Sequence, residues 1–477
     1  MNESDISIKF CGAARNVTGS QHLININGYK LLLDCGLFQG KREEAYKMNR
    51  HFIYNPSEVL SVILSHAHID HAGNLPTLMI KGFNGNIYCT SATRDLCSIM
   101  LQDSAYVQEK DVEFVNKKRA KRNLPLFNPL YTINDAIEVL NYFKSFPYNR
   151  RFTLDGFRNM IDVTFFEAGH ILGSAQIVLE IHSKGNTTKI GFTGDLGRKN
   201  LPILRDPEFI GDVDYLIIES TYGGKLHDSS ELMEQDLLSV IREALDTNAK
   251  IIVPSFSVGR TQDLVYSITK LTERGAIPQF PIFVDSPLSV NVTDIFKLHS
   301  ECFDKETREY IAKGYDVFGL DNILYIKDVN ESKQLNTIKG PCMIISASGM
   351  CEAGRIQHHL ANSIENPNNI VLIVGFMAVD TLGRRLVEAK DEPGKVVRIF
   401  GTEYKVNCKI KILNSFSGHA DHNELLNYIA NFDKKKLKAI FLVHGEFERQ
   451  KALYNSIVAS GYNNVFIPER GEEFNLS

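Results

Sequence analysis

The chain has 477 residues, 43% of them hydrophobic and 23% charged, with a formal net charge of −4 and a pI near 6.4. That length exceeds one ordinary core and predicts two domains, one of them inserted in the other, while the near-average composition excludes a disordered or fibrous chain. The acidic balance excludes a protein that coats nucleic acid through bulk positive charge, although a localised patch or bound metal ions can still attract phosphate.

The opening "MNESDISIKF" has neither the basic start nor the apolar centre of a signal peptide, and no apolar run approaches the roughly 18 residues of a membrane span, so a cytoplasmic location is expected. Eight cysteines (Cys11, Cys35, Cys89, Cys97, Cys302, Cys342, Cys351, Cys408) are scattered without a Cys-x-x-Cys pair. They are expected to be reduced, mostly buried thiols that hold no zinc.

In chain order, short β-branched runs bounded by Gly, Asn and Asp come first: "ISIKFCG", "QHLINING", "YKLLLDCG", "VLSVILS" and "GNIYCT". Helical spacing follows after Thr90 and ends in the basic run Lys117, Lys118, Arg119, Lys121 and Arg122, read as a solvated helix end with a nucleic-acid contact as the alternative. Strands return in "VTFFEAGH", "AQIVLEIHS", "TKIGFTGD" and "VDYLIIEST". From about Gly223 helices alternate with short apolar strands ("SELMEQDLLSVIREALDTN" then "KIIVPSF", later "PCMIISASG" and "NNIVLIVGF"), which is the pattern of a parallel sheet buried on both faces. After about Lys405 the chain reverts to the pattern of its first third, with "VNCKIKILNSFSGHADH", a helix, and "LKAIFLVHGE".

The densest chemistry lies in "VILSHAHIDHAG", where His66, His68, Asp70 and His71 directly follow an apolar strand. Strand alternation points His66 and His68 the same way, so two imidazoles converge on one ion, and Asp70 and His71 face a second. Mixed imidazole and carboxylate donors favour zinc, with manganese or iron as alternatives. Two ions need further ligands. His170 in "FFEAGHILGSA", Asp195 in "IGFTGDLG" and Asp34 in "LLLDCGLFQG" share the same strand-then-small-residue setting. Alone, each would be an ordinary turn residue.

Together these residues resemble, in order and context, the leading motifs of the metallo-β-lactamase superfamily. The resemblance implies an α/β fold, an αββα sandwich with the metals at one edge. It implies one zinc held by His66, His68 and His170, another by Asp70 and His71, a bridging Asp195, and Asp34 orienting the site from behind. "LIIESTYGG" (Glu219), "FSGHAD" (His419) and "LVHGE" (His444) resemble the further motifs of the β-CASP nuclease branch, with the alternating α/β stretch as the inserted β-CASP domain. The domains expected are thus 1–220 plus 405–477 for the sandwich and 221–404 for the insert, a mostly parallel sheet flanked by helices.

The pattern is similar to the RNA-cleaving group that includes the cleavage and polyadenylation endonuclease and its bacterial and archaeal relatives. DNA-processing members often carry Val at the last motif, where this chain has His444. The resemblance therefore implies a zinc-dependent ribonuclease, endonucleolytic, with two Zn2+ (or Mn2+) per chain. Its nucleophile would be a zinc-activated hydroxide whose proton Asp70 takes, and His444 would be a ligand of the second zinc. His419, oriented by Glu219, would be the general acid.

Ser346, Ser348, Gly349 and Met350 in "SASGM", and Ser255 and Arg260 in "PSFSVGR", resemble segments lining the cleft and are candidates to hold flanking phosphates. A 5′–3′ exoribonuclease of the RNase J kind and a noncatalytic RNA-processing scaffold are the alternatives. The exonuclease is disfavoured by the short stretch after His444. Specificity would come from RNA-processing partners or a homodimer, with no membrane involved. His422 is read as structural, and His358 and His359 as a plain polar helix face.

Overall fold

The computed structural model describes residues 6–40, 42–229, 232–375, 377–378, 380–392 and 394–476. The chain divides into two compact units, one made of Met1–Lys199, Asp206–Leu226 and His419–Ser477, the other of Asn200–Arg205 and His227–Gly418.

The first unit contains two seven-stranded sheets. One runs in the order Glu473–Asn475, Ile6–Phe10, His22–Ile26, Tyr29–Leu33, Val59–Ile63, Asn86–Cys89, Phe143–Ser145. The other runs Val465–Phe466, Ala439–Val443, Tyr215–Glu219, Asn186–Phe192, Ala175–Ser183, Ile161–Glu167, Phe152–Thr153. Strict alternation in Ile161–Glu167 buries every second side chain, as period-two patterning demands. Ile8, Phe10, Ile24 and Leu31 of the first sheet share one core with Phe165, Ile177, Leu179 and Phe192 of the second. Each such side chain contributes about 1.5–3 kcal/mol by leaving water. The opposite face of the second sheet, through Leu216, Ile218, Ile440 and Leu442, packs on Leu425, Ile429, Leu453 and Ile457 of the helices His422–Ile429 and Phe447–Ala459. The former helix starts at a capping box of Asp421 and Glu424.

Parallel pairing decides where the polar motifs emerge. Leu33 is paired with Ile63, so Asp34 and Ser65 leave their strands at the same end. Glu219 is paired with Val443 and Phe192 with Ile217, which brings Asp195, Glu219 and His444 out together in the other sheet.

The second unit is built on a six-stranded sheet, Ile323–Tyr325, Ile282–Val284, Cys342–Ser346, Lys250–Pro254, Ile370–Ile373, Lys409–Ile412, every neighbouring pair of which is parallel. Its central strands are buried along their length, and Met233–Asp246, Arg260–Glu273 and Pro287–Leu298 are among its helices. Of the predicted helix "SELMEQDLLSVIREALDTN", Ser230 and Glu231 lie outside the described residues, as does Phe376 of "NNIVLIVGF". The strand Lys409–Ile412, expected with the sandwich from the change of pattern near 405, pairs instead in register with Ile370–Ile373. Its Lys/Ile alternation suits an edge strand with one solvated face. All eight cysteines are buried, and among the described residues none forms a disulfide. Among the described residues no helix is long and apolar enough to cross a membrane.

Candidate metal centre

The apolar strand before the first motif ends at Ile63, two residues short of the predicted end. His66 and His68 therefore reach the site from an irregular loop, and Asp70 and His71 from the one-turn helix Ile69–Ala72. Convergence is achieved all the same. His68 Nδ1 lies 3.1 Å from His66 Nε2 and 3.2 Å from His170 Nε2. Asp195 Oδ2 lies 3.5 Å from the Nε2 atoms of both His66 and His170. Donor atoms of Asp70, His71 and His444 form a second group, with His444 Nε2 3.4 Å from Asp70 Oδ2. Asp195 Oδ1 faces that group, 3.2 Å from His71 Nε2 and 3.4 Å from His444 Nδ1. One carboxylate thus presents a different oxygen to each cluster.

The donor set fits a pair of cations. His71 Nε2 and Asp195 Oδ1 are buried and face each other at 3.2 Å, and among the described residues neither has a well-aligned hydrogen-bond partner. Such a pair is costly unless a third group satisfies both. Burial, then the neighbouring His71, holds the His66 imidazole well below its ordinary range, and burial, against the pull of Asp70 and Asp195, brings His68 down to about 4. Both rings are neutral at pH 7, the form that binds a metal. His71 goes the other way. Burial opposes its charge, but Asp195 and Asp34 outweigh burial and raise it well above the usual value. Asp195 is likewise held well below the carboxylate range, burial being overcome by His444 and His71.

A buried frame fixes these side chains. Asp34 Oδ2 is 2.7 Å from His71 Nδ1 and accepts from Ser65 Oγ at 2.9 Å, while Asp34 Oδ1 accepts from the Ser65 amide at 2.8 Å. Ser65 Oγ also lies 3.0 Å from His66 Nδ1, which leaves the Nε2 of that ring to the cluster. Thr221 Oγ1 sits 3.1 Å from His444 Nδ1. Asp34 and His444 take left-handed backbone conformations, with φ of +57° and +50°. Gly36 is required for a different reason, because a Cβ there would fall 1.5 Å from the Asp70 carbonyl oxygen. Sequence motifs single out neither Ser65 nor Thr221. Their only signal is adjacency to a motif residue or to the Glu219 segment.

Beside the clusters, His419 Nδ1 lies 3.2 Å from Oε1 of the fully buried Glu219 and 3.9 Å from Asp195 Oδ2. Glu219 Oε1 also accepts from the Leu196 amide at 2.6 Å, so the carboxylate cannot swing away. Burial alone would lower His419, but Glu219, then Asp195 and Asp70, push it up to about 9. It is therefore protonated at neutral pH while 19% of its side-chain surface stays exposed.

The residues proposed for flanking phosphates belong to the second unit and are largely engaged inside it. Arg260 is buried, its Nη1 2.7 Å from both the Phe416 carbonyl and the Asp263 carboxylate. Ser255 accepts from Thr261, and Ser346 donates to the Asp285 carbonyl. Gly349 is packed so closely on Phe256 that a Cβ would meet its ring at 2.6 Å. Ser348 and Met350 keep partial exposure. His359 is not on a polar face. It is fully buried, with Nε2 2.6 Å from Asp285 Oδ2, and Asp285 also receives Ser332 and Arg355. A histidine that partners an aspartate 74 positions away leaves no local sequence signal. His422 has a structural place, accepting from the Gly224 amide at 2.9 Å.

Comparison with known proteins agrees with this geometry. The family model of the metallo-beta-lactamase superfamily matches residues 15–255, the Beta-Casp domain matches 261–386, and the Zn-dependent metallo-hydrolase RNA specificity domain matches 403–468. The chain belongs to the metallo-β-lactamase superfamily and, within it, to the β-CASP branch. Among its relatives, Ribonuclease TTHA0252 of Thermus thermophilus is 32% identical over 94% of this chain and 95% of its own. An RNase J-like protein of Methanocaldococcus jannaschii is 30% identical over 98% and 99%. Transcription termination factor FttA of the same archaeon is 29% identical over 92% and 67%. A crystal structure of an Enterococcus faecalis protein of unknown function shares the fold, with a TM-score of 0.54 at 14% identity, covering 99% of this chain and 100% of that one.

Proposed function

We propose that this protein is a metal-dependent ribonuclease that hydrolyses RNA phosphodiester bonds internally. The observation that carries the reading is Asp195, whose two oxygens face two separate clusters of metal-type donors while His419 waits alongside, already protonated. The relatives named as a ribonuclease and as RNase J-like, alike over nearly their whole length, support RNA as the substrate.

His66, His68 and His170 would hold one ion, Asp70, His71 and His444 the other, and Asp195 would touch both. Zn2+ suits this set of imidazoles and carboxylates, with Mn2+ as the alternative. When bound, the ions supply positive charge for the nonbridging phosphate oxygens and make a water acidic enough to attack at neutral pH. Asp70, partly exposed at the rim of its cluster, is placed to take the proton of the attacking water. His419 donates its proton to the oxygen that leaves phosphorus, and the buried Glu219 keeps the imidazole oriented and charged until then. Eight buried thiols outside any disulfide support a reducing compartment, the cytoplasm.

The test is incubation of the purified protein with a structured, 5′-labelled RNA, comparing the native chain with His66→Ala and His419→Ala. Internal fragments lost in both variants support the proposal. Release of the label as mononucleotide without internal fragments would replace it with 5′–3′ exonuclease action, and cleavage indifferent to both substitutions would overturn it.

A further inference from the structure

The helix Ser91–Ala120 buries side chains only as far as Ala105. Beyond that point Tyr106 and Phe114 are 51% and 56% exposed, and Leu124 and Leu126 in the turn that follows are exposed as well. Tyr106, Lys110, Phe114 and Lys118 recur at every fourth position, which lays alternating rings and ammonium groups along one stripe of the helix. Lys110 Nζ lies 5.8 Å from the Tyr106 ring centre and Lys118 Nζ 4.2 Å from that of Phe114.

At the tip, "KKRAKR" places Lys117, Lys118, Arg119, Lys121 and Arg122 together. Among the described residues none of the five makes an ion pair, whereas Lys110 shares its charge with Glu113 at 3.1 Å. The turn is well built. Asn116 exchanges two 2.9 Å hydrogen bonds with the backbone of Phe127, and the Phe127 ring is 4.3 Å from the Arg119 guanidinium and 5.2 Å, edge-on, from the Tyr46 ring.

The other end of the helix is fixed to the metal centre. Thr90 and Thr93 Oγ1 donate to the Gly173 carbonyl at 2.7 and 2.8 Å, three residues beyond His170, and the helix packs against Ile69–Ala72. From Thr93 to Lys117 the axis runs about 36 Å at roughly 1.5 Å per residue.

We propose that the exposed half of this helix and its basic tip form a docking arm for single-stranded RNA, engaging the strand several nucleotides away from the bond that is cut. The identity of the strand rests on the ribonuclease reading of the metal centre. Flat exposed rings that stack on any base, interleaved with cations that follow the backbone, are the chemistry of sequence-independent single-strand binding. A cluster of unpaired lysines is poorly suited to the centre of a protein interface, from which lysine is depleted. In a chain of net charge −4 the arm also concentrates positive charge where a polyanion can reach it.

The test compares a fluorescent oligouridylate of about 30 nucleotides, within reach of more than one site of the usual 4–16 nucleotides, with a hexanucleotide. Both are bound to the full-length, metal-loaded His419→Ala protein, which spares the probes. In the combined variant Lys117→Ser, Lys118→Ser, Lys121→Ser and Arg122→Ser, the long-to-short affinity ratio should fall tenfold or more and the salt dependence of long-RNA binding should flatten. Lys→Arg at the three lysines should retain the ratio, which separates loss of charge from damage to the fold. An unchanged ratio and salt slope in the serine variant overturn the arm. So does loss of self-association in a Leu124→Ser, Leu126→Ser variant whose ratio also matches the native chain, since the surface would then serve a protein partner. If the native chain cuts no RNA yet the ratio still depends on the four cations, the arm stands and the ribonuclease reading fails.

Discussion

His419 and Glu219, 200 positions apart in the chain, meet as a 3.2 Å pair in which only the histidine is open to solvent. His419→Ala is expected to lower kcat by about 10²- to 10⁴-fold, the usual weight of a general acid. Glu219→Gln removes the largest influence that raises the imidazole, so its value falls from about 9 toward the ordinary 6.5. Activity that needs the protonated ring is present below that value and lost above it. The alkaline limb of the kcat profile should therefore move down by one to two pH units, roughly in line with that shift. A limb unmoved in the variant would remove Glu219 from this role.

Asp34 and Ser65 are buried, and they hold His71 and His66 by the nitrogens turned away from the clusters. Ser65→Ala and Asp34→Asn should weaken metal binding by about 10- to 100-fold, as loss of supporting partners does elsewhere. Competition with a chromophoric chelator measures this directly. The defect should be overcome by excess metal, which a misfolded protein would not show.

Metal uptake should also release protons. His71 is held charged by Asp195 and Asp34 before an ion arrives, and it must become neutral to bind one. Affinity at that cluster is then expected to weaken as pH falls. His66 and His68 carry no such cost, being neutral already. Calorimetry in two buffers of different ionisation enthalpy counts the protons released, and zero would contradict the assignment.

His22 makes a prediction unrelated to catalysis. It is fully buried with both ring nitrogens unpartnered among the described residues, edge-on to Phe10 at 5.3 Å and Phe192 at 5.4 Å, and burial lowers it to about 3. The unfolded chain takes up a proton there near 6.5, so stability present above that pH is lost as pH falls toward 3. His22→Phe should remove part of the acid sensitivity, on the order of a few kcal/mol by pH 4. Denaturant titrations at pH 7 and pH 4 should show the gap between the two proteins widening in acid.

The imidazoles and carboxylates that the structure brings together were legible because their types and spacing are those coordination chemistry asks for and each motif follows an apolar strand. His66, His68, Asp70 and His71 needed only four positions in six to declare themselves. Periodicity also showed the alternation of Ile161–Glu167 and the unbroken apolar character of Cys342–Ser346 and Ile370–Ile373. What stayed hidden was fixed by distant pairing. The Lys409–Ile412 strand shows which sheet it joins only through Ile370–Ile373. His359 reads as surface until Asp285 is placed against it, and Arg260 reads as an open cation until Phe416 and Asp263 are.

Main-chain hydrogen bonds lace the segment carrying Asp70 to two others: Ser20 N to the Asp70 carbonyl at 2.8 Å and, from the stretch just after Asp34, Cys35 N to that of His71 at 2.8 Å and Leu37 N to that of Ile69 at 2.9 Å. With Gly36 pressed against the Asp70 carbonyl, the backbone that carries Asp70 and His71 is held in place before any ion binds. The centre is thus a rigid receptacle. Chelation should empty it without unfolding the chain, and the full free energy of ion binding is left to set affinity, in contrast to small domains whose metal must also organise the fold.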